Sequence, residues 1–279
     1  MKTLRRILLL LLLTGLIISL IIIFTRKRPP VQAFEYLPHS ENKEIISHVA
    51  YSLSFIDEYK EPEWVAYKLS RDMLNGPNKR ADKFTTDPEV LTGSSSPEDF
   101  SGSGYDRGHL CPAADMNSSP VFMQECFYMS NMSPQNPSFN RGIWSKLEKT
   151  VRLWADEDSL IYITTGPVFS ANMPYIGKTN KVAVPPEFYK VILCYNSGHK
   201  NKAIGFIIPN EGRTESLSYF IVSVDSVEAR TGIDFFPDLP DEIEQEVESR
   251  AEPDDWDFRS SLIVSNKQNK QKRQSETVR

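Results

Sequence analysis

Residues 7–24 are apolar apart from Thr14, Gly15 and Ser19. No other feature limits the fold as much, because this run has no polar face to turn toward water. Its eighteen residues, at ~1.5 Å rise each, make roughly 27 Å of helix, enough to cross a hydrocarbon core. An uncleaved N-terminal transmembrane helix within residues 1–28 is therefore expected. The competing reading is a cleaved signal segment, whose apolar region would be ~7–15 residues followed promptly by small residues. Val31-Gln32-Ala33 offers such a site, but only beyond Arg26, Lys27, Arg28, Pro29 and Pro30. Lys2, Arg5 and Arg6 balance Arg26, Lys27 and Arg28, so the positive-inside rule sets no orientation.

The net charge of −5 conceals an uneven distribution: residues 1–28 carry six basic side chains and no acid, whereas residues 29–264 carry a net −15. A generic basic face for nucleic acid is excluded on that body, and any anion must be held by a local site. With 40% hydrophobic residues and 25% charged, the chain is neither disordered nor a disulfide scaffold.

Residues 29–47 are expected to be a tether, 48–260 a folded domain and 261–279 a basic, disordered tail. Segments 51–56 and 64–70 have the β-branched and aromatic content of strands, while 77–104 has the Ser, Asp, Pro and Gly of a long surface loop. An extended segment is expected at 127–130. Ile143, Leu147, Val151 and Trp154 recur at three- and four-residue steps, predicting a helix over about 140–154. Strands are predicted at 160–165, 189–195, 203–208 and 219–224. Residues 237–257 hold ten acids against Arg250 and suggest a solvated helix and loop. Without a regular βαβ alternation, the expected class is α+β with a central antiparallel sheet.

Cysteine offers little chemistry. Cys194 fits a buried core thiol, and Cys111 and Cys126 could pair outside a reducing compartment. Of four histidines, His109 stands out in Tyr105-Asp106-Arg107-Gly108-His109-Leu110-Cys111. A guanidinium fork suited to phosphate and an imidazole able to move a proton near neutral pH flank a glycine that permits close approach or positive φ. A plain turn with an Asp106–Arg107 ion pair is an equal alternative on these residues alone. Downstream, Asn131, Gln135, Asn136, Asn140 and Glu148 form a run of hard oxygen donors suited to Mg²⁺.

DRGH followed by Ser130-Asn131-Met132-Ser133-Pro134-Gln135 and by Asn140-Arg141 with Trp144, Leu147 and Glu148 resembles the DNA/RNA non-specific endonucleases, the ββα-metal nucleases that include endonuclease G and secreted bacterial enzymes. The resemblance spans about residues 48–250. It implies a metal-dependent endonuclease cutting DNA and RNA with little sequence preference and leaving 5′-phosphate ends. Carried over, His109 is the general base, Asn140 the direct ligand of Mg²⁺ (Mn²⁺ as a substitute), and Arg107 a phosphate contact that stabilises transition-state charge. Asn131 supports the site, Glu148 acts on the metal through water, and Arg80 is a further phosphate contact. In a straight helix, eight residues at ~1.5 Å separate Asn140 from Glu148 by roughly 12 Å, which is why a water-mediated role is expected.

Homodimers are common in the family resembled, and an unidentified protein inhibitor is a further candidate partner besides the nucleic acid and the membrane. A nuclease facing its own chromosome is toxic, so the expected location is a membrane-anchored catalytic domain outside the cytoplasm. The alternatives are secretion after signal cleavage and a mitochondrial membrane. Two other functions remain open from sequence: a catalytically silent nucleic-acid-binding or surface protein on the same scaffold, and a small-substrate phosphodiesterase. Asp106 is read as fixing the turn, Asp115 as a helix cap, and Trp144 as core.

Overall fold

Phe188, Ile192 and Cys194 face one apolar cluster, while Tyr189, Val191 and Leu193 between them face another. This two-sided burial explains why the strand reads as a continuous apolar run rather than a polar–apolar alternation. The computed structural model describes residues 35–42 and 44–258, all within one compact unit, Gln32–Arg279. The expected membrane helix at 7–24 and the tail at 261–279 lie outside the described residues. Among the described helices none is long and apolar enough to cross a membrane.

The framework is a seven-stranded sheet built from β1 (Ile45–Ser47), β2 (Ser52–Ile56), β3 (Glu61–Ser70), β6 (Leu160–Val168), β9 (Glu187–Cys194), β10 (Lys202–Pro209) and β11 (Ile221–Val222), in that spatial order. Every pairing is antiparallel. Two-stranded ribbons are formed by β4 (Asp106–His109) with β5 (Met132–Gln135) and by β7 (Tyr175–Ile176) with β8 (Val182–Ala183). The expected α+β class with a central antiparallel sheet is therefore observed.

One face of the sheet packs against helix Ser145–Asp158 through Leu147, Val151, Trp154 and Ala155, and the β4–β5 region lies on this side, with Leu110 and Cys111 in the same cluster. The other face is covered by helices Val224–Thr231 and Asp241–Glu248 through Val227 and Val247. Gly205 of β10 allows the first of these to approach, since a Cβ there would meet Val227 Cγ2 at 2.8 Å.

Several local expectations change. Part of the stretch expected as a tether, 29–47, is packed: the Tyr36 ring lies edge-on to Tyr162 at 4.8 Å, His39 forms a β-bridge with Asp234, and Ile45–Ser47 is the edge strand β1. The expected surface loop at 77–104 buries Asp87, Val90, Ser95 and Phe100. Asp87 accepts hydrogen bonds from Ser130 and from the Glu89 N–H, and it pairs with His48 Nε2 at 2.8 Å. Polar composition there reflects internal hydrogen bonding as much as solvation. The segment expected to be extended at 127–130 enters a 3-10 turn at Met129–Asn131, and the strand begins only at Met132. The strand expected at 219–224 is reduced to β11 because Ser223, accepting from the Ser226 N–H, caps the following helix. Cys111 and Cys126 are buried free thiols rather than a pair, and Cys194 is a core thiol as expected.

Candidate active site

The β4–β5 ladder sets Asp106 opposite Gln135, Arg107 opposite Pro134, Gly108 opposite Ser133 and His109 opposite Met132. Side chains alternate across a strand, so Arg107 and His109 share one side of β4. Gly108 is required for close approach rather than for positive φ. A Cβ at that position would lie 2.1 Å from the fully buried Gln135 side chain.

His109 is 8% exposed, and its Nε2 has no hydrogen-bond partner within the protein. Its ring meets Phe127 edge-on at 4.9 Å and Phe84 at 5.7 Å. Burial, reinforced by the positive charges of Arg80 and Arg107, drives its pKa down to about 3. The imidazole is thus neutral at physiological pH and able to accept a proton. The same two rings hold the arginines: Arg107 sits 4.3 Å from the Phe84 centroid and Arg80 sits 5.0 Å from that of Phe127. Such cation–π contacts position a guanidinium without consuming its N–H donors. Arg80 also contacts Asp82. Beside it runs a groove of about 400 Å³ whose wall includes Asn78, Lys79, Lys83 and Thr85.

Asn140 begins an irregular turn of five residues, Asn140–Trp144, in which Gly142 leaves helical geometry (φ −100°, ψ −109°). Regular α-helix starts only at Ser145, later than the sequence periodicity suggests, so straight-helix spacing between Asn140 and Glu148 does not apply. Asn140 Nδ2 donates to Asp106 Oδ2 at 3.0 Å, leaving the amide oxygen as a hard donor. Asp106 also receives both ends of the Arg141 guanidinium, at 2.8 and 2.6 Å. Burial works to raise the Asp106 pKa, but the hydrogen bonds from Arg141 and Asn140 outweigh it and hold the carboxyl below its usual range. Asp106 therefore ties the β4 strand to the start of the helix. The local Asp106–Arg107 pair considered from sequence gives way to one spanning 35 residues.

Glu148 lies on the same helix, half-buried. Burial raises its pKa to about 7, against the lowering effect of Lys190, Arg152 and Arg80. Arg80 is among the positive charges acting on both His109 and Glu148. Lys190 of β9 is 1% exposed, with Nζ 4.9 Å from the Trp144 centroid and no hydrogen-bond partner. Burial lowers it to about 8, with Glu148 as its principal opposing charge. Trp144 is fully buried, as expected of core.

Asn131 is fully buried and structural: its Oδ1 accepts from the Cys111 N–H, and its Nδ2 donates to the carbonyls of Cys111 and Cys126. It pins the segment after His109. Asn136 caps the turn at Pro137 by accepting from the Ser138 N–H. Asp115 does not cap a helix through its side chain. It is buried, accepting from Tyr67 Oη and pairing with Arg152 at 2.8 Å, which orients the arginine one turn beyond Glu148. Lys190, Phe84 and Phe127 were not singled out from sequence, and Arg141 entered only within the Asn140-Arg141 motif, with no role of its own. Only Lys190, a charge amid the apolar residues of a predicted strand, carried a signal that could have marked it.

A family model for DNA/RNA non-specific endonucleases matches residues 33–242. The mitochondrial nuclease EXOG of Danio rerio is 36% identical over 73% of this chain, which spans 63% of that relative, less than two thirds of its length. Nuclease C1 of Cunninghamella echinulata var. echinulata is 34% identical, covering 71% of this chain and 84% of its own. Among solved structures, endonuclease G in complex with EndoGI superposes with a TM-score of 0.67 at 32% identity, covering 75% of this chain and 89% of that one.

Proposed function

The chain belongs to the DNA/RNA non-specific endonuclease family, and from that premise we propose that it hydrolyses phosphodiester bonds of DNA and RNA at the β4–β5 site. The observation that carries this reading is the convergence of Arg107 and the buried His109, both on the β4 strand that Asp106 ties to Asn140, with Arg80, which rests on the Phe127 ring that His109 also meets. Arg107 and Arg80 hold the phosphate. His109 takes the proton of the attacking water, the bond from water oxygen to phosphorus forms, and the bond to the 3′ oxygen breaks; that oxygen takes a proton from solvent to become the 3′-hydroxyl, and the phosphate stays on the 5′ side. Anionic phosphate offsets the arginine charges that depress the imidazole, so basicity at His109 rises when substrate is in place.

The donor set suits a hard divalent cation. Asn140 has its amide nitrogen committed to Asp106 and its oxygen left as donor, and the Glu148 carboxyl lies in the field of Lys190, Arg152 and Arg80, opposed by that of Asp115. Mg²⁺, with Mn²⁺ as a substitute, would be held by Asn140 directly and by Glu148 through water. It would supply Lewis-acid neutralisation of the phosphate and the leaving oxygen. Asn131 supports the site by fixing the chain after His109.

In the organisation that fits these readings, 1–28 is an anchor or signal segment and 261–279 a basic tail. The nuclease domain includes the packed residues from Tyr36 rather than starting at His48. The catalytic domain acts outside the cytoplasm, and the mitochondrial relatives give weight to a mitochondrial membrane as the alternative site. A homodimer and an inhibitor of the kind that EndoGI represents for endonuclease G are the protein partners proposed.

Incubation of the protein with supercoiled plasmid and with long RNA, with Mg²⁺ or EDTA, tests the activity. Cleavage of both polymers to 5′-phosphorylated fragments, abolished by EDTA, is the expected result. Hydrolysis restricted to small phosphodiesters, or none, would overturn it.

A further inference from the structure

On the sheet face away from β4–β5, helices Val224–Thr231 and Asp241–Glu248 bring Asp225, Glu228 and Glu248 together, with carboxylate oxygens within 4.8 Å of one another. Like charges at that spacing repel strongly. Glu248 is 5% exposed, its Oε1 has no hydrogen-bond partner, and it is the last residue of its helix, where the macrodipole opposes negative charge. Burial, then Glu228, Glu244, Asp225 and Asp234, raise its pKa to about 9. Glu228 is aimed by accepting from the Phe235 N–H through Oε1 at 2.8 Å, and Asp225 stands exposed at the rim. Among the described residues no other group of three metal-ligating side chains is so close.

We propose that Asp225, Glu228 and Glu248 form a divalent-cation site, separate from the nuclease centre, that takes Ca²⁺ and clamps the two helices. All three are hard oxygen donors. Oxygens about 2.3–2.6 Å from a Ca²⁺ ion span up to roughly 5 Å across it, whereas Mg²⁺ at about 2.0–2.1 Å draws its ligands closer. With one ligand at the rim, waters complete the coordination, and the expected dissociation constant is on the order of 10⁻⁴–10⁻³ M. The site needs no contact with substrate, so it stands or falls independently of the proposed nuclease chemistry.

Calorimetric titration of the full chain with CaCl₂, paired with thermal melts, tests the assignment. The expected result is saturable binding that raises Tm and survives Asn140→Ala. It should weaken by on the order of tenfold or more in Asp225→Asn and in Glu248→Gln. Asp225 is exposed, so its substitution leaves the core packing intact. The Glu248→Gln amide reproduces the protonated carboxyl, so loss of binding there is not a packing defect. Absence of saturable binding at millimolar Ca²⁺ in Asn140→Ala, or wild-type affinity in Asp225→Asn or Glu248→Gln, would overturn the proposal.

Discussion

Asp106→Ala separates positioning from stability. Asp106 accepts one hydrogen bond from Asn140 and two from Arg141. The Arg141 side chain is 72% exposed, so that ion pair adds little to folding. The Asn140 bond contributes about 1 kcal/mol net, which lowers Tm by roughly 2–4 °C in a domain of this size. Activity should suffer far more, because Asp106 fixes the direction of the Asn140 amide. Loss of a group that orients a metal ligand typically costs 10–100-fold in metal affinity or activity. Initial rates of plasmid cleavage across a Mg²⁺ titration, with melts on the same samples, provide both readouts. The expected pattern is a near-native Tm, a raised half-saturating Mg²⁺ concentration and a lower rate. An unchanged Mg²⁺ requirement with a rate within threefold of wild type would refute the positioning argument.

Other consequences follow from the same geometry. Gly108→Ala drives a Cβ into Gln135 and should destabilise by about 1–3 kcal/mol with loss of cleavage; a native melt and rate would contradict the close-approach account. The folded His109 pKa of about 3 lies below the unfolded value near 6.5, so the unfolded chain binds the extra proton. The neutral ring's stability contribution is present above pH 6.5 and declines as pH falls toward 3, by about 2 kcal/mol between pH 7 and pH 5. His109→Gln should flatten that part of a pH–stability profile recorded in EDTA, and an unchanged slope would count against burial of a neutral imidazole. Cys111 and Cys126 are buried, with thiol pKa values raised by desolvation, that of Cys126 to about 12. Both should resist alkylation in the native protein at pH 8, and rapid labelling without denaturant would show the packing to be wrong.

What could be read in advance was whatever lies in local spacing. The DRGH quartet put arginine and imidazole on one strand within four residues, and the 3.6-residue period of Leu147, Val151 and Trp154 revealed the long helix. The reason for Gly108 was hidden because Gln135 reaches it from a strand 27 residues away. Partner choice was hidden for the same reason: Asp106 selects Arg141 over its neighbour Arg107, and Asp115 selects Arg152 and Tyr67 over a helix end. Composition misdirected the reading at 77–104, where Ser and Asp side chains bond internally. It did so again at 29–47, where a few aromatic and apolar residues suffice to hold an edge strand to the sheet.

In the proposed chemistry His109 supplies the proton-accepting group of a metal-dependent cleavage while contributing nothing to metal binding. Single-turnover cleavage of a long DNA at saturating Mg²⁺, comparing wild type with His109→Gln and with Mg²⁺ affinity measured on both, tests that role. The expected result is a rate lower by about 10²–10⁴-fold with unchanged Mg²⁺ affinity. A substituted protein that cuts within tenfold of wild type, or that fails only by losing the metal, would contradict it.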